Sequence, residues 1–250
     1  MKQAPASVNE PTPKNNTILY VVVGIAGFFV LSFIFLIFAI QHLFGKAGAG
    51  PLLSSSDNEI ALIEIEGPIY QSDDLVREIK RFRKSPQKAL LLRLDSPGGV
   101  VAPSQEIYSE ILSARQDKKI VVASMASLAA SGAYYIASAC DKIVANPGTL
   151  TGSIGVIWHV PEASGLFKKV GLNYQTIKSG KFKDTGSMDR PMTPQEREYV
   201  QETINEVFGQ FLDAVIQGRR EAFQNHVAKG LGIKPKDVTD PEIKNYILPY

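Results

Sequence analysis

Cysteine occurs once in this chain, at Cys140, which excludes an intramolecular disulfide and a cysteine-rich metal site. Cys140 follows Ala139 in an apolar segment and reads as a small buried hydrophobe. Charge of one sign is also scarce: the net charge of +2 over 250 residues, with no basic stripe interleaved with aromatics, gives no footprint for nucleic acid. There is no Walker-type phosphate loop to couple ATP, and no cofactor is expected. Histidine is limited to three positions, His42, His159 and His226, none in the sequence context of a Ser-His-Asp triad. No internal repeat is present.

One long hydrophobic run is present. Residues 18–40 carry no charge and include Gly24, Gly27 and Ser32. At ~1.5 Å rise per residue the run reaches about 35 Å, enough to cross a ~30 Å hydrocarbon layer. The rival reading is a cleavable signal peptide with Ala47-Gly-Ala-Gly50 as its cleavage site, but such apolar regions span only roughly 7–15 residues. The reading adopted is a transmembrane signal anchor over 18–40. A disordered tail (1–17) precedes it, and a Gly/Ala/Ser-rich linker (41–58) follows. Lys2, Lys14 and the terminal amine before the run, against Lys46 after it, place the N-terminus in the cytoplasm and the main domain outside.

The domain over 59–250 alternates strand-like and helix-like patterns. Glu59-Ile-Ala-Leu-Ile-Glu-Ile-Glu66 reads as a strand, and Ser72 as the cap of a helix burying Leu75, Val76, Ile79 and Phe82. A second strand spans 88–94, a second helix 103–116 and a third strand 119–124; short strands are expected at 141–145 and 173–177. Residues 148–155 read as a polar, glycine-broken loop, and 178–190 as a mobile or partner-bound one. Thr193-Pro-Gln-Glu196 has the capping-box spacing and opens a long helix to near Arg219. This order argues for an α/β fold of βαβ units with a mostly parallel sheet, whose sites gather at the carboxyl ends of strands.

Two stretches fall at such ends. Leu91-Leu-Arg-Leu-Asp-Ser-Pro-Gly-Gly-Val100 breaks from a strand into a tight turn. Met125-Ala-Ser-Leu-Ala-Ala-Ser-Gly-Ala-Tyr-Tyr-Ile-Ala-Ser-Ala139 crowds small residues around Ser131. Taken alone, such a segment reads as a tightly packed helix. With small neighbours the Ser131 hydroxyl is also reachable, and helix from Ala130 onward would place it near free N–H groups. A serine nucleophile needs a base, and Lys178, Lys181 and Lys183 stand together in the glycine-bounded loop. A lysine serves only when neutral, which requires lowering its pKa from ~10.4.

Together with Thr151-Gly-Ser-Ile-Gly-Val156 and Ser179-Gly-Lys-Phe-Lys-Asp184, these stretches resemble the ClpP/crotonase-type proteases, and within them the S49 family, signal peptide peptidase A. The resemblance runs from about Glu59 to about Arg220. It implies a membrane-anchored serine endopeptidase of the inner membrane, with Ser131 as nucleophile and Lys183 as general base. Gly99 (with Gly98 as its alternative) and Gly132 would form the oxyanion hole, and Ser153 would orient the lysine. It further implies peptide substrates such as signal peptides or membrane-protein segments, and a homo-oligomeric ring with active sites shared between neighbours. A stomatin-directed membrane protease of the same broad family, or a non-catalytic membrane scaffold, are the alternatives. The family continues to a Gly-Leu-Val-Asp motif that this sequence lacks, so its C-terminal end is expected to be truncated or divergent.

Overall fold

The computed structural model describes residues 60–248 together with Phe28, Leu31 and Ser32. Those three are helical and exposed; otherwise the tail, the anchor and the linker expected before residue 59 lie outside the described residues. Among the described residues no helix is long and apolar enough to cross a membrane.

Five strands form one sheet: β1 (Ala61–Glu66), β2 (Ala89–Ser96), β3 (Ile120–Ala130), β4 (Lys142–Val144) and β5 (Leu150–Gly152). Every pairing is parallel, in the order β1-β2-β3-β4. β5 joins the edge of β3 beyond β4, pairing Leu128–Ala130 with Leu150–Gly152. Ile63, Ile65, Leu90, Leu92, Leu94, Val121, Ala123 and Met125 point to one buried face. There they share a single core with residues of α1 (Asp73–Lys84), α2 (Val101–Gln116), α3 (Gly132–Ser138) and α5 (Pro194–Leu231). The alternate residues Glu64, Glu66, Leu91 and Asp95 are exposed. Parallel strands covered on both faces read as unbroken apolar runs. The alternation legible in β1 therefore reflects a sheet that the described helices cover on one side only.

Several boundaries differ from the sequence reading. β3 continues six residues past Ser124 to Ala130, because the end of β2 and then β5 supply ladder partners for a stretch whose small residues show no clear period. The 148–155 loop thus contains a strand, β5. The 173–177 strand is absent: those residues are exposed and join no ladder among the described residues, Tyr174 instead resting its ring on Phe167 of the short α4 (Ser164–Lys169). Ser72 is the N-cap of α1, but its hydroxyl hydrogen-bonds Glu106 of α2 instead of capping the helix.

The Thr193–Glu196 capping box and Pro194 open α5 as expected. The helix leaves helical geometry at Arg219 (φ −124°, ψ 15°), then continues to Leu231 and ends at Gly232 in the left-handed region. At the break Gly218 packs directly on α3: a Cβ there would lie 1.9 Å from the Ser138 carbonyl oxygen. The Arg219 guanidinium donates to the Cys140 carbonyl beside it. After a 3-10 turn (Pro235–Asp237), α6 (Asp240–Ile247) returns Ile243 and Ile247 to the core. Thr239 caps it, both its N–H and its hydroxyl donating to Glu242.

Gly218→Ala sets two effects against each other. Alanine gains about 1 kcal/mol of helix propensity, whereas forcing a methyl into packed backbone costs roughly 1–3 kcal/mol. At 1.9 Å from backbone oxygen the second effect wins. Urea denaturation is expected to show a destabilised variant; a stabilised one would mean that α5 and α3 are free to separate.

Candidate active site

The carboxyl ends of β2 and β3 are brought together by their pairing. Leu94 faces Met125, and the next registered pair is Ser96 with Ala129, so β3 bulges between them. Asp95 fills the gap in the ladder, its carboxylate accepting the Leu128 N–H at 3.1 Å. Ser96 Oγ accepts the Gly98 N–H at 3.1 Å, which tightens the turn that follows. Gly98 has φ +89°, a conformation open to glycine. Two further bonds, Ile69 N–H to Gly98 O (2.9 Å) and Val100 N–H to Ile69 O (2.8 Å), clamp the turn to the chain after β1. A Cβ on Gly99 would lie 2.1 Å from Ile69 O, so the second glycine is required by close approach.

β3 runs straight into Ser131, which is the N-cap of α3; the sequence reading started this helix two residues earlier. Ser131 adopts φ 53°, ψ −122°, a region that costs a non-glycine residue of order 1–3 kcal/mol. It is held there from both sides, its N–H donating to Gly152 O (2.9 Å) and its C=O accepting from Tyr135 N–H (2.9 Å). Its hydroxyl bonds to no described residue. The Gly98 turn packs against this one, since a Cβ on Gly98 would sit 2.5 Å from Gly132 N. A Cβ on Gly132 would sit 3.2 Å from Gly99 N and 2.4 Å from Ser104 Oγ. The N–H groups of Gly99 and Gly132 are therefore neighbours, and neither donates to another described residue.

A cleft open to solvent ends on this arrangement. Val101, Val156, Ile157, Val207 and Phe211 give it apolar walls, with Ser131, Ser104 and Tyr135 as the side chains carrying polar atoms. Tyr135 is wedged between Phe211 and Tyr108, with ring centroids 4.9 Å away on each side. None of the lining residues is histidine or carboxylate. His159 is exposed outside the cleft, and His226 lies against Tyr246 of α6.

Ser131, Gly132 and Gly99 thus meet, whereas Lys183 and Ser153 do not line the same cleft. Ser153 is exposed with φ 51°, directly after the Gly152 carbonyl that holds Ser131. Lys183 is exposed in a turn closed by its N–H to Gly180 O (3.3 Å). Its amine has no ion pair or hydrogen bond to a described residue. The other two lysines are engaged: Lys178 pairs with Asp184 at 2.5 Å, and Lys181 lies 5.3 Å above the Phe182 ring.

Residues 113–235 match the model of peptidase family S49. Over that stretch, just under half of its length, the chain carries a peptidase S49 domain. It is 42% identical over 176 residues to the Synechocystis sp. protein slr0021, a protease by designation, covering 70% of this chain and 63% of that one. It is 34% identical over 182 residues to the chloroplastic serine protease SPPA of Arabidopsis thaliana, covering 67% of this chain and 27% of the relative. The chain therefore spans less than two thirds of either relative's length. Among solved structures it is similar to a point mutant of ClpP1 from Listeria monocytogenes, at 15% identity and a TM-score of 0.41, covering 63% of this chain and 71% of that one.

Three residues that line this cleft carry no local signal. Ser104 on α2 and Val207 and Phe211 on α5 read in sequence as ordinary helix positions, and only the fold brings them to the cleft. The buried Cys140 thiol is no rival nucleophile, since burial pushes it up to about 12. The 178–190 loop, expected to be mobile or partner-bound, is tied to α5. Asp184 is held below the usual carboxylate range by hydrogen bonds from Lys178 and Arg190, and Glu196 by those from Arg190 and from the Thr193 N–H. Both folded-state values are depressed, so their stabilisation is complete above the unfolded carboxylate range and fades as pH falls below about 5. Thermal melts across that range are expected to show wild type losing stability more steeply than Arg190→Ala. Parallel curves would mean that the pairs do not couple to folding.

Proposed function

We propose that this S49 domain is a serine endopeptidase that cleaves peptide bonds by acyl transfer through a Ser-Lys dyad. The observation that carries the reading is the Ser131 hydroxyl on a strained turn, beside the adjacent N–H groups of Gly99 and Gly132, at the end of an apolar cleft. Ser131 Oγ attacks the scissile carbonyl carbon while neutral Lys183 takes its proton. The carbonyl oxygen becomes an oxyanion that accepts from Gly99 and Gly132. Lys183 returns the proton to the leaving amine as the C–N bond breaks. Water then attacks the acyl-enzyme by the same route and regenerates Ser131. Ser153, next to the carbonyl that holds Ser131, would bind the lysine amine.

The lysine comes from a neighbouring copy in a ring. Lys183 is exposed and its amine is unengaged, which suits a group destined for another subunit's cleft. Burial by a neighbour would also lower its pKa toward neutrality. The arm that leads to Lys183, residues 157–182, exposes Ile157, Leu166, Val170, Leu172, Tyr174 and Ile177, the last completely. A head-to-tail contact over such an arm is the type that closes into rings. The apolar cleft walls suit small or apolar side chains. With an anchor at 18–40, the substrates would be membrane-associated peptides, signal peptides among them, met outside the cytoplasm.

Ser131→Ala is expected to abolish both peptide hydrolysis and labelling by a serine-directed acylating probe, with melting behaviour close to wild type. Retained turnover by the purified variant would end the assignment.

The shared site has its own test. Mixing inactive Ser131→Ala and Lys183→Ala subunits should restore about a quarter of the sites in a random equal mixture with directional contacts. Rings shown to have exchanged subunits without recovering activity would place the dyad within one chain.

A further inference from the structure

An ion-pair cluster that the chemistry above does not use lies between the Lys183 turn and the start of α5. We infer that Arg190 is a positioning residue for Lys183, clamping the turn that bears the base onto the first turn of α5. The inference rests on the reading of Lys183 as the base.

The Arg190 guanidinium bridges both parts. Its Nη1 and Nη2 donate to the two oxygens of Glu196 at 2.8 and 2.5 Å. Its Nε and Nη2 lie 3.0 and 2.9 Å from Asp184 Oδ2. Asp184 is bonded in sequence to Lys183, so fixing its carboxylate restricts where the lysine backbone can go. Glu196 is a firm anchor: its side chain is 3% exposed, and Oε2 also accepts the Thr193 N–H at 2.8 Å in the capping box. The helix it caps is seated in the core through Phe211 and Val215. A second tie runs in parallel, with Phe182 stacked on Tyr199 of α5 at 5.3 Å. The other oxygen of Asp184 takes Lys178. The cluster thus occupies one competing amine while leaving that of Lys183 disengaged. A flat, forked guanidinium is suited to this two-sided bridge, and an ammonium cannot reproduce it.

The test measures kcat, KM and the pH dependence of kcat/KM on an apolar peptide, using the full chain in detergent. Misplacing a reacting group by about 1 Å costs on the order of 10²-fold, so Arg190→Ala is expected to lower kcat by about that factor with KM little changed. The rising limb of the pH profile should move to higher pH, because a loosened lysine is better solvated and harder to deprotonate. Arg190→Lys should recover part of the rate. Glu196→Gln keeps an amide oxygen to accept the Thr193 N–H and should shift the limb in the same direction by less. Wild-type kcat and pH limb in Arg190→Ala would overturn the inference; should that variant not fold, an unshifted limb in Glu196→Gln would do so. Undiminished turnover in Lys183→Ala would instead remove the base assignment itself. Loss in Lys183→Ala with a wild-type Arg190→Ala would remove only the clamp.

Discussion

Everything at this site depends on two backbone turns approaching closer than side chains allow. The Gly98-Gly99 turn after β2 and the Ser131-Gly132 turn after β3 sit so tightly together that a Cβ on Gly98 would fall 2.5 Å from Gly132 N. The approach is imposed by parallel pairing, which ends both strands on the same side of the sheet. It is adjusted by the bulge at Leu94–Ser96 and by Asp95, whose carboxylate takes the Leu128 N–H left without a strand partner. It leaves two neighbouring N–H groups, those of Gly99 and Gly132, without a partner among the described residues. A buried unpaired donor is costly, so such a pair is tolerated where solvent or a bound oxygen can reach it. The cleft supplies that access.

The helix layer completes the site and connects it to the lysine turn. α5 crosses α3 at Gly218, seats Phe211 against Tyr135, and begins at the capping box in which Glu196 holds Arg190. One helix therefore walls the cleft with its middle and anchors the Lys183 turn with its first residues. In a ring of the kind proposed, those two ends would serve different active sites, one in the same subunit and one in the next.

The uncovered face of the sheet and the 157–182 arm belong to the same account. Both leave apolar groups exposed among the described residues, Leu91 on the sheet and Leu172 and Ile177 on the arm. The strand expected at 173–177 is missing for a related reason: Tyr174, Thr176 and Ile177 favour extended backbone, but no described strand lies beside them to complete a ladder.

The sequence by itself determined the alternation of strands and helices, the capped start at Thr193, and the glycines at which backbone must approach backbone. These features are written in nearest-neighbour chemistry: side-chain period, N-cap hydroxyls, and the absence of a Cβ. It also placed Ser131, Gly132 and Gly99 at strand ends, where parallel pairing carried them together. The tertiary structure alone decided the rest. β3 extends to Ala130 because ladder partners from β2 and β5 outweigh the weak period of Ser124 to Ala130. Val207 and Phe211 became cleft walls through a helix crossing rather than a motif. Among three lysines in one loop, Lys178 is held by Asp184 and Lys183 is left disengaged. That distinction arises from carboxylates and guanidinium groups brought together in space, and no spacing along the chain encodes it.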